Sequence, residues 1–235
     1  MFEVSTSLPT QGNGLFRSTV LSLRVKVLVG LMRAGSKLST ARLGGLILAT
    51  HSEGCNPAPL PGLSFEPLFV AGVHDLSAGQ RVLDMGTGCG VWALFASRQG
   101  AQVIASDIQE DQLEIVAKNA ERNGLTPPKL VCGDLFEPVE HLRFDRILFN
   151  PPFHIGKVSR PSDIAYVGGE DGEVVRRFLG GFSQYLEPGG TACIILPAIE
   201  LKHYARELEG LEVRVRSEQW VPLLGRVYLI ELRTQ

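Results

Sequence analysis

The sequence predicts an α/β protein built on a mostly parallel sheet of seven strands, with helices on both faces and a small N-terminal appendage. Two patterns support this fold class. After Gln80, short apolar strand patterns alternate with helical patterns, as in a parallel sheet with crossover helices. The chain then ends in two runs of alternating polar and apolar residues with no helical pattern between them, which predicts an antiparallel hairpin. The last strand is therefore expected to run antiparallel to the others.

The periodicity of the apolar residues sets the order of these elements. Strands are expected at residues 81–85, 102–106, 129–132, 144–150 and 191–196, and the hairpin strands at 212–216 and 226–232. Helices are expected between the parallel strands, at residues 91–99, 109–123, 172–186 and 198–208. These elements take up more than half of the chain beyond residue 80.

The sequence changes character near residue 63. We interpret residues 1–62 as a substrate-side or lid segment and residues 63–235 as the catalytic domain that binds the cofactor. Within the first segment the patterns predict a helix over residues 15–34 and a short strand over residues 45–50. Ser64 is the predicted N-cap of the first helix of the domain.

The composition argues against a secreted, membrane-spanning or metal-binding protein. The 235 residues carry a net charge of −2, which requires no polyanionic partner. The first 60 residues hold six lysines and arginines against two acids, which permits an RNA or acidic-protein substrate but also fits a solvated basic face.

The four cysteines form no C-x-x-C pair, and the five histidines lack i, i+4 spacing. The longest uncharged apolar run near the N-terminus is too short to span a bilayer. We therefore expect free thiols, no metal, no membrane and a cytoplasmic location.

The stretch RVLDMGTGCG, residues 81–90, is the centre of the predicted site. An apolar strand ends on an acid there, and a glycine-rich turn leads into a helical pattern. Glycine lets the backbone turn sharply and leaves no Cβ to block a ligand, so the stretch predicts a nucleotide-sized site at the C-terminal end of a parallel strand. Position 91 is Val91 rather than the third glycine of a dinucleotide fingerprint, which argues against a nicotinamide cofactor.

The pattern D-x-G-x-G-x-G resembles motif I of the class I S-adenosylmethionine (SAM)-dependent methyltransferases. The resemblance implies the Rossmann-like fold of that class, whose last strand enters an otherwise parallel sheet in the antiparallel direction. It also implies SAM as the cofactor, with its methionine part over the glycine turn and its amino group held by the acid. The residues that this resemblance assigns to the cofactor in motif I are Asp84, Gly86, Thr87, Gly88 and Gly90.

Acids also end the second and third strands. A carboxylate at the tip of the second strand can accept hydrogen bonds from a ribose diol, although Asp107 is explained almost as well as the N-cap of the next helix. The resemblance assigns Asp107 to the ribose and Ile108 to the adenine face. It assigns Asp134 to the adenine amino group and Leu135 to the flank of the ring.

The fourth strand ends in the sequence Asn-Pro-Pro-Phe-His, residues 150–154, which we expect to carry the chemistry. Prolines stop the strand ladder and leave the Pro151 carbonyl free beside the Asn150 side-chain oxygen. Two adjacent acceptors suit the two N–H groups of a planar amine or amide, and holding both hydrogens turns the nitrogen lone pair toward a methyl donor. Phe153 can stack on the planar group and favour a cationic transition state.

This sequence resembles the N-P-P-[FY] motif of enzymes that methylate exocyclic amino groups of nucleobases or the glutamine amide. The rRNA guanine-N2 and release-factor glutamine methyltransferases are the groups that it resembles most. The resemblance implies catalytic roles for Asn150, Pro151 and Phe153, with Asn150 also beside the cofactor. Pro152, Phe153, His154 and Glu66 are the candidates for substrate binding, and His154 and Glu66 are the candidate bases.

Several alternatives stay open at this stage. The methyl acceptor could be RNA, protein or a small molecule, and the oligomeric state is not visible in the sequence. A small-molecule amine methyltransferase would use the same cofactor site, and an enzyme that cyclises or cleaves SAM and releases methylthioadenosine would use it without an acceptor. A catalytically inactive SAM-binding subunit is the non-enzymatic alternative.

Overall fold

The computed structural model describes residues 27, 30, 40–50, 64–222 and 224–234. Residues 27 and 30 are helical, and the rest of the helix expected over residues 15–34 lies outside the described residues. The loop before residue 64 lies outside them as well, so the proposed division of the chain at residue 63 remains a prediction.

The described residues form a two-stranded hairpin and a central sheet of seven strands. The hairpin strands are β1 (Thr40–Leu43) and β2 (Leu46–Ala49), and the sheet strands are β3 (Arg81–Met85), β4 (Gln102–Asp107), β5 (Lys129–Cys132), β6 (Phe144–Phe149), β7 (Leu186–Pro197), β8 (Leu211–Val221) and β9 (Gly225–Thr234). Their lateral order is β5-β4-β3-β6-β7-β9-β8. Strands β3 to β7 are parallel, and β9 runs antiparallel between β7 and β8. The predicted sheet and its antiparallel last strand are confirmed.

The helices lie between the parallel strands, as predicted, but two of them are shorter than expected. The structure has α1 (Glu66–Val73), α2 (Val91–Arg98), α3 (Glu110–Arg122), α4 (Glu173–Gly181) and α5 (Ala198–Leu201). The expected helix over residues 172–186 tightens to a 3-10 turn after the pair Gly180-Gly181, because glycine disfavours continued α-helix. The expected helix over residues 198–208 becomes a 3-10 turn at Lys202–Tyr204, which places the Tyr204 ring fully inside the protein.

Helix α1 begins one residue later than the predicted cap implied. The N-cap position is Phe65, and Ser64 Oγ accepts the Glu66 N–H at 3.1 Å. An ion cluster fixes the far end of the helix to the sheet, because Asp75 accepts from Arg146 of β6 at 3.0 Å and from Arg216 of β8 at 2.8 Å. Burial raises the pKa of Asp75, but the two guanidinium groups outweigh it and hold that pKa well below its usual range.

The β1–β2 hairpin is attached to α3 by two asparagine side chains. Asn119 bonds both backbone groups of Ala49, with N–H···Oδ1 at 2.6 Å and Nδ2–H···O at 3.0 Å. Asn123 does the same at Ile47, with both contacts at 2.9 Å. A side-chain amide that meets both backbone groups of one residue imitates a neighbouring strand. The expected strand over residues 45–50 is therefore confirmed as β2. Strand β1 was not predicted, because its sequence Thr-Ala-Arg-Leu has no apolar run like the Leu-Ile-Leu-Ala of β2.

The carboxyl ends of β3, β4, β5 and β6 meet at one edge of the sheet, because these strands are parallel neighbours. The apolar residues of β3 and β6 are buried, and those of the edge strand β5 are partly buried, so a close-packed core holds the central strand tips. Polar residues that end the strands must therefore lie together at this edge. No helix in the described part of the chain is long and apolar enough to cross a membrane.

Candidate active site

A cavity of about 400 Å³ lies at the carboxyl ends of the parallel strands. Its size is in the range of cofactor pockets, and most of its lining is apolar. Phe69 of helix α1 and Phe65, the residue just before that helix, form part of the lining. The long loop after β6 forms another wall. The predicted site residues that line the cavity are Asp84, Gly86, Thr87, Gly88, Asp107, Ile108, Asp134, Leu135, Asn150, Pro151, Pro152, Phe153 and His154.

The glycine turn forms one wall of the cavity. Gly86, Gly88 and Gly90 have φ values of +59°, +53° and +88°, a conformation that L side chains rarely adopt. A Cβ on Gly86 would press on Phe149, and a Cβ on Gly90 would press on Val116. A Cβ on Gly88 would meet no protein atom within 4 Å. The open space at Gly88 is therefore a surface that a ligand can approach closely. Gly90 caps α2 just behind the cavity lining.

Asp84 is buried at the base of the turn, with an exposed fraction of 2%. Its Oδ2 accepts the Thr87 hydroxyl at 2.7 Å and the Ala93 N–H at 2.8 Å. Burial raises the pKa of this carboxyl to about 7, against the lowering effect of those two hydrogen bonds. A cationic amino group beside Asp84 would favour its ionised form, so the site fits the ammonium end of a methionine-like ligand.

Asp107 connects the tip of β4 to the glycine turn. Its Oδ2 accepts the Gly88 N–H at 2.9 Å and its Oδ1 accepts the Gln109 N–H at 3.0 Å. Each carboxylate oxygen can accept a second hydrogen bond, so both backbone contacts leave room for a diol. Burial raises the pKa of Asp107, partly offset by its backbone hydrogen bonds. Helix α3 starts at Glu110 with Gln109 at the N-cap position, so Asp107 is not the N-cap itself.

Ile108 and Leu135 present apolar surface to the cavity. Ile108 lies on the cavity lining and is 54% exposed, so its side chain is accessible to a ligand there. Leu135 has φ +48°, and no other non-glycine residue in the described part of the chain has a positive φ. This strained conformation lies next to Asp134, whose Oδ2 accepts from Arg177 at 2.8 Å. Two apolar side chains and a carboxylate are suitable for an adenine ring and its amino group.

Asn150 stands at the tip of β6. Its Oδ1 is buried and accepts no hydrogen bond from any residue that the structure describes. An unsatisfied buried acceptor costs free energy, so its position on the cavity wall points to a ligand donor. Pro151 follows it and also lines the cavity. The two neighbouring acceptors predicted from the sequence are thus at the same wall.

Phe153 and His154 continue this wall. Their rings meet edge to face with centroids 4.8 Å apart. His154 is 1% exposed, and neither ring nitrogen has a hydrogen-bond partner among the described residues. Burial lowers its pKa to about 4, so the imidazole is neutral near pH 7. A neutral imidazole offers one N–H donor and one acceptor to a ligand.

The structure does not bring Glu66 to the cavity. Its carboxylate accepts the Gly44 N–H at 2.8 Å and so holds the turn of the β1–β2 hairpin. Glu66 lines a separate surface groove beside α1, and the adjacent Phe65 is the residue that reaches the cavity. Phe65 and Glu66 are neighbours in sequence, but their side chains leave the start of the helix in different directions, so only that of Phe65 faces the site.

The sequence analysis missed the loop that closes one side of the cavity. Its two ends pair through backbone bonds, with the His154 N–H on the Tyr166 carbonyl at 3.0 Å and the Gly168 N–H on the His154 carbonyl at 2.9 Å. Between them, Val158 and Ile164 turn apolar side chains to the cavity and stay partly exposed. The glycine pair at residues 168–169 was the available signal, because glycine permits such a close backbone approach.

The fold and the site together define a Rossmann-like protein that binds SAM. The methionine part of that cofactor fits the open surface at Gly88 and the buried carboxyl of Asp84. The ribose fits the acid at the tip of β4, and the adenine fits the apolar pair flanking Asp134. In the described residues no cluster of three or more histidine, cysteine or acidic side chains could hold a metal ion.

The chain belongs to the methyltransferase small-domain family, whose profile matches residues 68–213. SAM is the cofactor of these proteins. The ribosomal RNA small subunit methyltransferase C of Alcanivorax borkumensis is 33% identical over 122 residues, which cover 52% of this chain and 34% of that protein. A Methanocaldococcus jannaschii protein, provisionally named as a protein N5-glutamine methyltransferase, is 32% identical over 187 residues, covering 76% of this chain and 91% of that one.

A solved structure supports the same fold. The 16S rRNA N2 methyltransferase of Thermus thermophilus, solved in complex with AdoMet and guanosine, superimposes with a TM-score of 0.61 and 23% identity. The match covers 83% of this chain and 50% of that one. The chain spans about a third of the length of the Alcanivorax protein and half of the Thermus chain.

Proposed function

We propose that this protein is a SAM-dependent N-methyltransferase that acts on a planar amino or amide nitrogen, either an RNA nucleobase or a glutamine side chain. The observation that carries the proposal is the buried Asn150 Oδ1, an acceptor without a partner in the described structure, on the wall of the cofactor cavity. A planar NH₂ group supplies the donor that this oxygen lacks.

In this mechanism Asn150 Oδ1 and the Pro151 carbonyl accept the two N–H groups of the acceptor. Phe153 lies against its planar face and stabilises the positive charge that develops on the nitrogen. When bound, SAM supplies a methyl group on a sulphonium sulphur as the electrophile. The acceptor nitrogen donates its lone pair to form the N–C bond, and the electron pair of the broken S–C bond remains on sulphur. The methylated nitrogen is then acidic and releases its extra proton without a strong base.

The roles of His154 and Glu66 differ in this scheme. With a pKa lowered to about 4, the buried imidazole of His154 is a weak base, and we assign it a hydrogen bond to the acceptor instead of proton abstraction. Glu66 is held by the hairpin and receives no role at the reacting atoms. An aliphatic ammonium, which needs a base to become nucleophilic, is therefore a poor acceptor for this site.

The two acceptor classes correspond to the two groups of relatives. One relative carries the name of an rRNA methyltransferase and the other that of a protein glutamine methyltransferase. Both classes of acceptor present an NH₂ group conjugated to a ring or a carbonyl. Residues 1–62 are proposed to form the substrate-side or lid segment. The β1–β2 hairpin within that segment packs on α3 and does not line the cavity, so its proposed part there is structural. We also propose a cytoplasmic location, which the free thiols of Cys132 and Cys193 support.

The experiment is mass spectrometry after incubation of the purified protein with methyl-labelled SAM. Parallel reactions contain total RNA, a protein extract, a metabolite extract, or no acceptor. Label in RNA or protein, as the mass of one labelled methyl group replacing a hydrogen on a nucleobase or a glutamine, supports the proposal. Label in an amine metabolite supports the small-molecule alternative. Release of methylthioadenosine without acceptor indicates SAM cleavage or cyclisation, and binding without turnover indicates an inactive SAM-binding subunit.

A further inference from the structure

Arg177 is a cavity residue to which neither the sequence nor the proposed mechanism gives a role. It belongs to α4, and among the described residues that line the cavity it is the one lysine or arginine. The other charged side chains of the lining are acids, namely Asp84, Asp107, Asp134 and Glu173. The question is therefore which of the four acids this single cation pairs with.

The partner of Arg177 is Asp134, 43 residues away in sequence. Its Nη1 donates to Asp134 Oδ2 at 2.8 Å, and both side chains are partly exposed. The other oxygen, Oδ1, has no hydrogen bond to a described residue. An ion pair through one oxygen fixes the rotamer of the carboxylate and leaves the second oxygen as an acceptor of known direction.

The backbone around Asp134 shows why this carboxylate needs an external support. Gly133 precedes it at φ +159°, and a Cβ there would lie 2.9 Å from Pro138. Leu135 follows it in the left-handed region at φ +48°. A short loop in sparsely populated conformations keeps its shape only when contacts from outside the loop hold it. The described contact of this kind at the Asp134 side chain is the one from Arg177.

We propose that Arg177 is a positioning residue that selects the adenine base of the cofactor by orienting Asp134. The guanidinium holds Asp134 Oδ2, and Oδ1 then accepts the hydrogen of the 6-amino group of adenine. Arg177 itself touches neither the methyl group nor the acceptor nitrogen. This inference rests on the SAM site of the proposed function and adds to it the source of its base specificity.

The test compares two ligands by calorimetry: S-adenosylhomocysteine and its deaminated analogue S-inosylhomocysteine, which carries a carbonyl in place of the 6-amino group. The native protein should bind the adenosyl ligand at least about tenfold more tightly, because a carboxylate rejects a carbonyl oxygen. Arg177→Met should weaken the adenosyl ligand by about tenfold and change the inosyl ligand by less than about twofold, so that the preference is lost. Arg177→Lys keeps a charge at this position and should retain part of the preference.

Arg176→Met is the matched control. Arg176 lies next in sequence on the same helix but bonds Glu207 and the His203 carbonyl, away from the cavity lining. The substitution Arg176→Met should lower the melting temperature and leave the ratio of the two ligand affinities unchanged. Equal weakening of both ligands by Arg177→Met, or no effect on either, overturns the role of Arg177. Failure of the native protein to bind S-adenosylhomocysteine would instead overturn the proposed function.

Discussion

Gly168 lies directly against the carbonyl of Pro152. A Cβ built on Gly168 would sit 2.1 Å from that oxygen, far inside any real contact. The Gly168 N–H also donates to the His154 carbonyl at 2.9 Å, so this glycine contacts the Asn-Pro-Pro-Phe-His segment at two points. The position of the proposed acceptor-binding residues therefore depends on a residue with no side chain, 14 to 18 positions later in the sequence.

Gly168→Ala should impair transfer more than cofactor binding. The methyl group cannot be accommodated unless the Pro152 carbonyl moves, and a displacement near 1 Å at a reacting centre can cost about 100-fold in rate. We expect methyl transfer to fall by about 10- to 100-fold and S-adenosylhomocysteine affinity to change by less than about threefold. Single-turnover transfer and calorimetry measure the two quantities.

Gly180→Ala is the control for that substitution. Gly180 lies in α4 with no heavy atom within 4 Å of the added Cβ, so it tests the same chemical change in open space. The melting temperature of the Gly180→Ala variant should rise slightly, because alanine favours helix over glycine by about 1 kcal/mol. Normal transfer by Gly168→Ala would show that the acceptor loop does not depend on this contact.

Asp107→Ala should weaken SAM binding. The substitution removes the proposed ribose acceptor and also leaves the Gly88 N–H without its 2.9 Å partner. Loss of a charge-assisted hydrogen bond corresponds to about 1.5–3 kcal/mol, or roughly 10- to 100-fold in Kd. Glu110→Ala, an exposed acid in the first turn of α3, should leave the affinity unchanged. Unchanged affinity in Asp107→Ala would refute the ribose assignment.

Two buried groups should give stability opposite dependences on pH. The pKa of Asp84 is raised from 3.8 to about 7, so between pH 4 and 7 the folded state binds more protons and stability falls as pH rises. The pKa of His154 is lowered from 6.5 to about 4, so between pH 4 and 6.5 the folded state binds fewer protons and stability increases with pH.

Substitution of either group separates the two effects. Urea unfolding at pH 4.5, 5.5 and 6.5 should show that the free energy of unfolding increases more with pH in Asp84→Asn than in the native protein. In His154→Phe it should increase less, or decrease. All other titrating groups are common to both variants, so the difference between them isolates the pair. The same pH slope in both variants would contradict the two pKa shifts.

Removal of the asparagine contact to the hairpin should affect stability and not chemistry. Asn123 bonds both backbone groups of Ile47 at 2.9 Å and lies outside the cavity lining. Asn123→Ala should lower the free energy of unfolding by about 1–3 kcal/mol, because two backbone groups lose their partner. Transfer at a temperature where the variant is folded should stay within about twofold of the native rate. A large loss of transfer would indicate that the hairpin takes part in the reaction.

The sheet could be predicted because its signal is local. Buried parallel strands such as β3 and β6 appear as short apolar runs. A polar residue lies at the carboxyl end of each, Asp84 just inside β3 and Asn150 just after β6, at the edge where ligands bind. The prediction that Asp84, Asp107, Asp134 and Asn150 meet at one cavity rested on their places at the ends of expected parallel strands and on the resemblance to the SAM-dependent methyltransferases. All four line that cavity. Parallel topology makes such an inference from sequence dependable.

The features that escaped prediction depend on contacts between distant residues. The loop from His154 to Gly168 is held by backbone bonds that leave no periodic pattern. The Arg177–Asp134 pair joins two elements with unrelated local sequences. Glu66 was expected at the site as a candidate base, but its carboxylate accepts the Gly44 N–H instead. Phe65 lines the cavity, and one residue along a helix rotates the side chain by about 100°. Strand β1 pairs with β2, and Glu66 and Arg98 bond the turn between the two strands, contacts that the four residues of β1 cannot reveal.

The most direct test of the account is Asn150→Ala, measured for cofactor binding and for methyl transfer in the same preparation. The Asn150 acceptor is assigned chiefly to the acceptor NH₂, so the Kd for S-adenosylhomocysteine should stay within about threefold while transfer falls by about 100-fold or more. Asn123→Ala provides the amide-to-methyl control outside the cavity. A parallel loss of binding and transfer would place Asn150 in the cofactor site, and retained transfer would contradict the proposed mechanism.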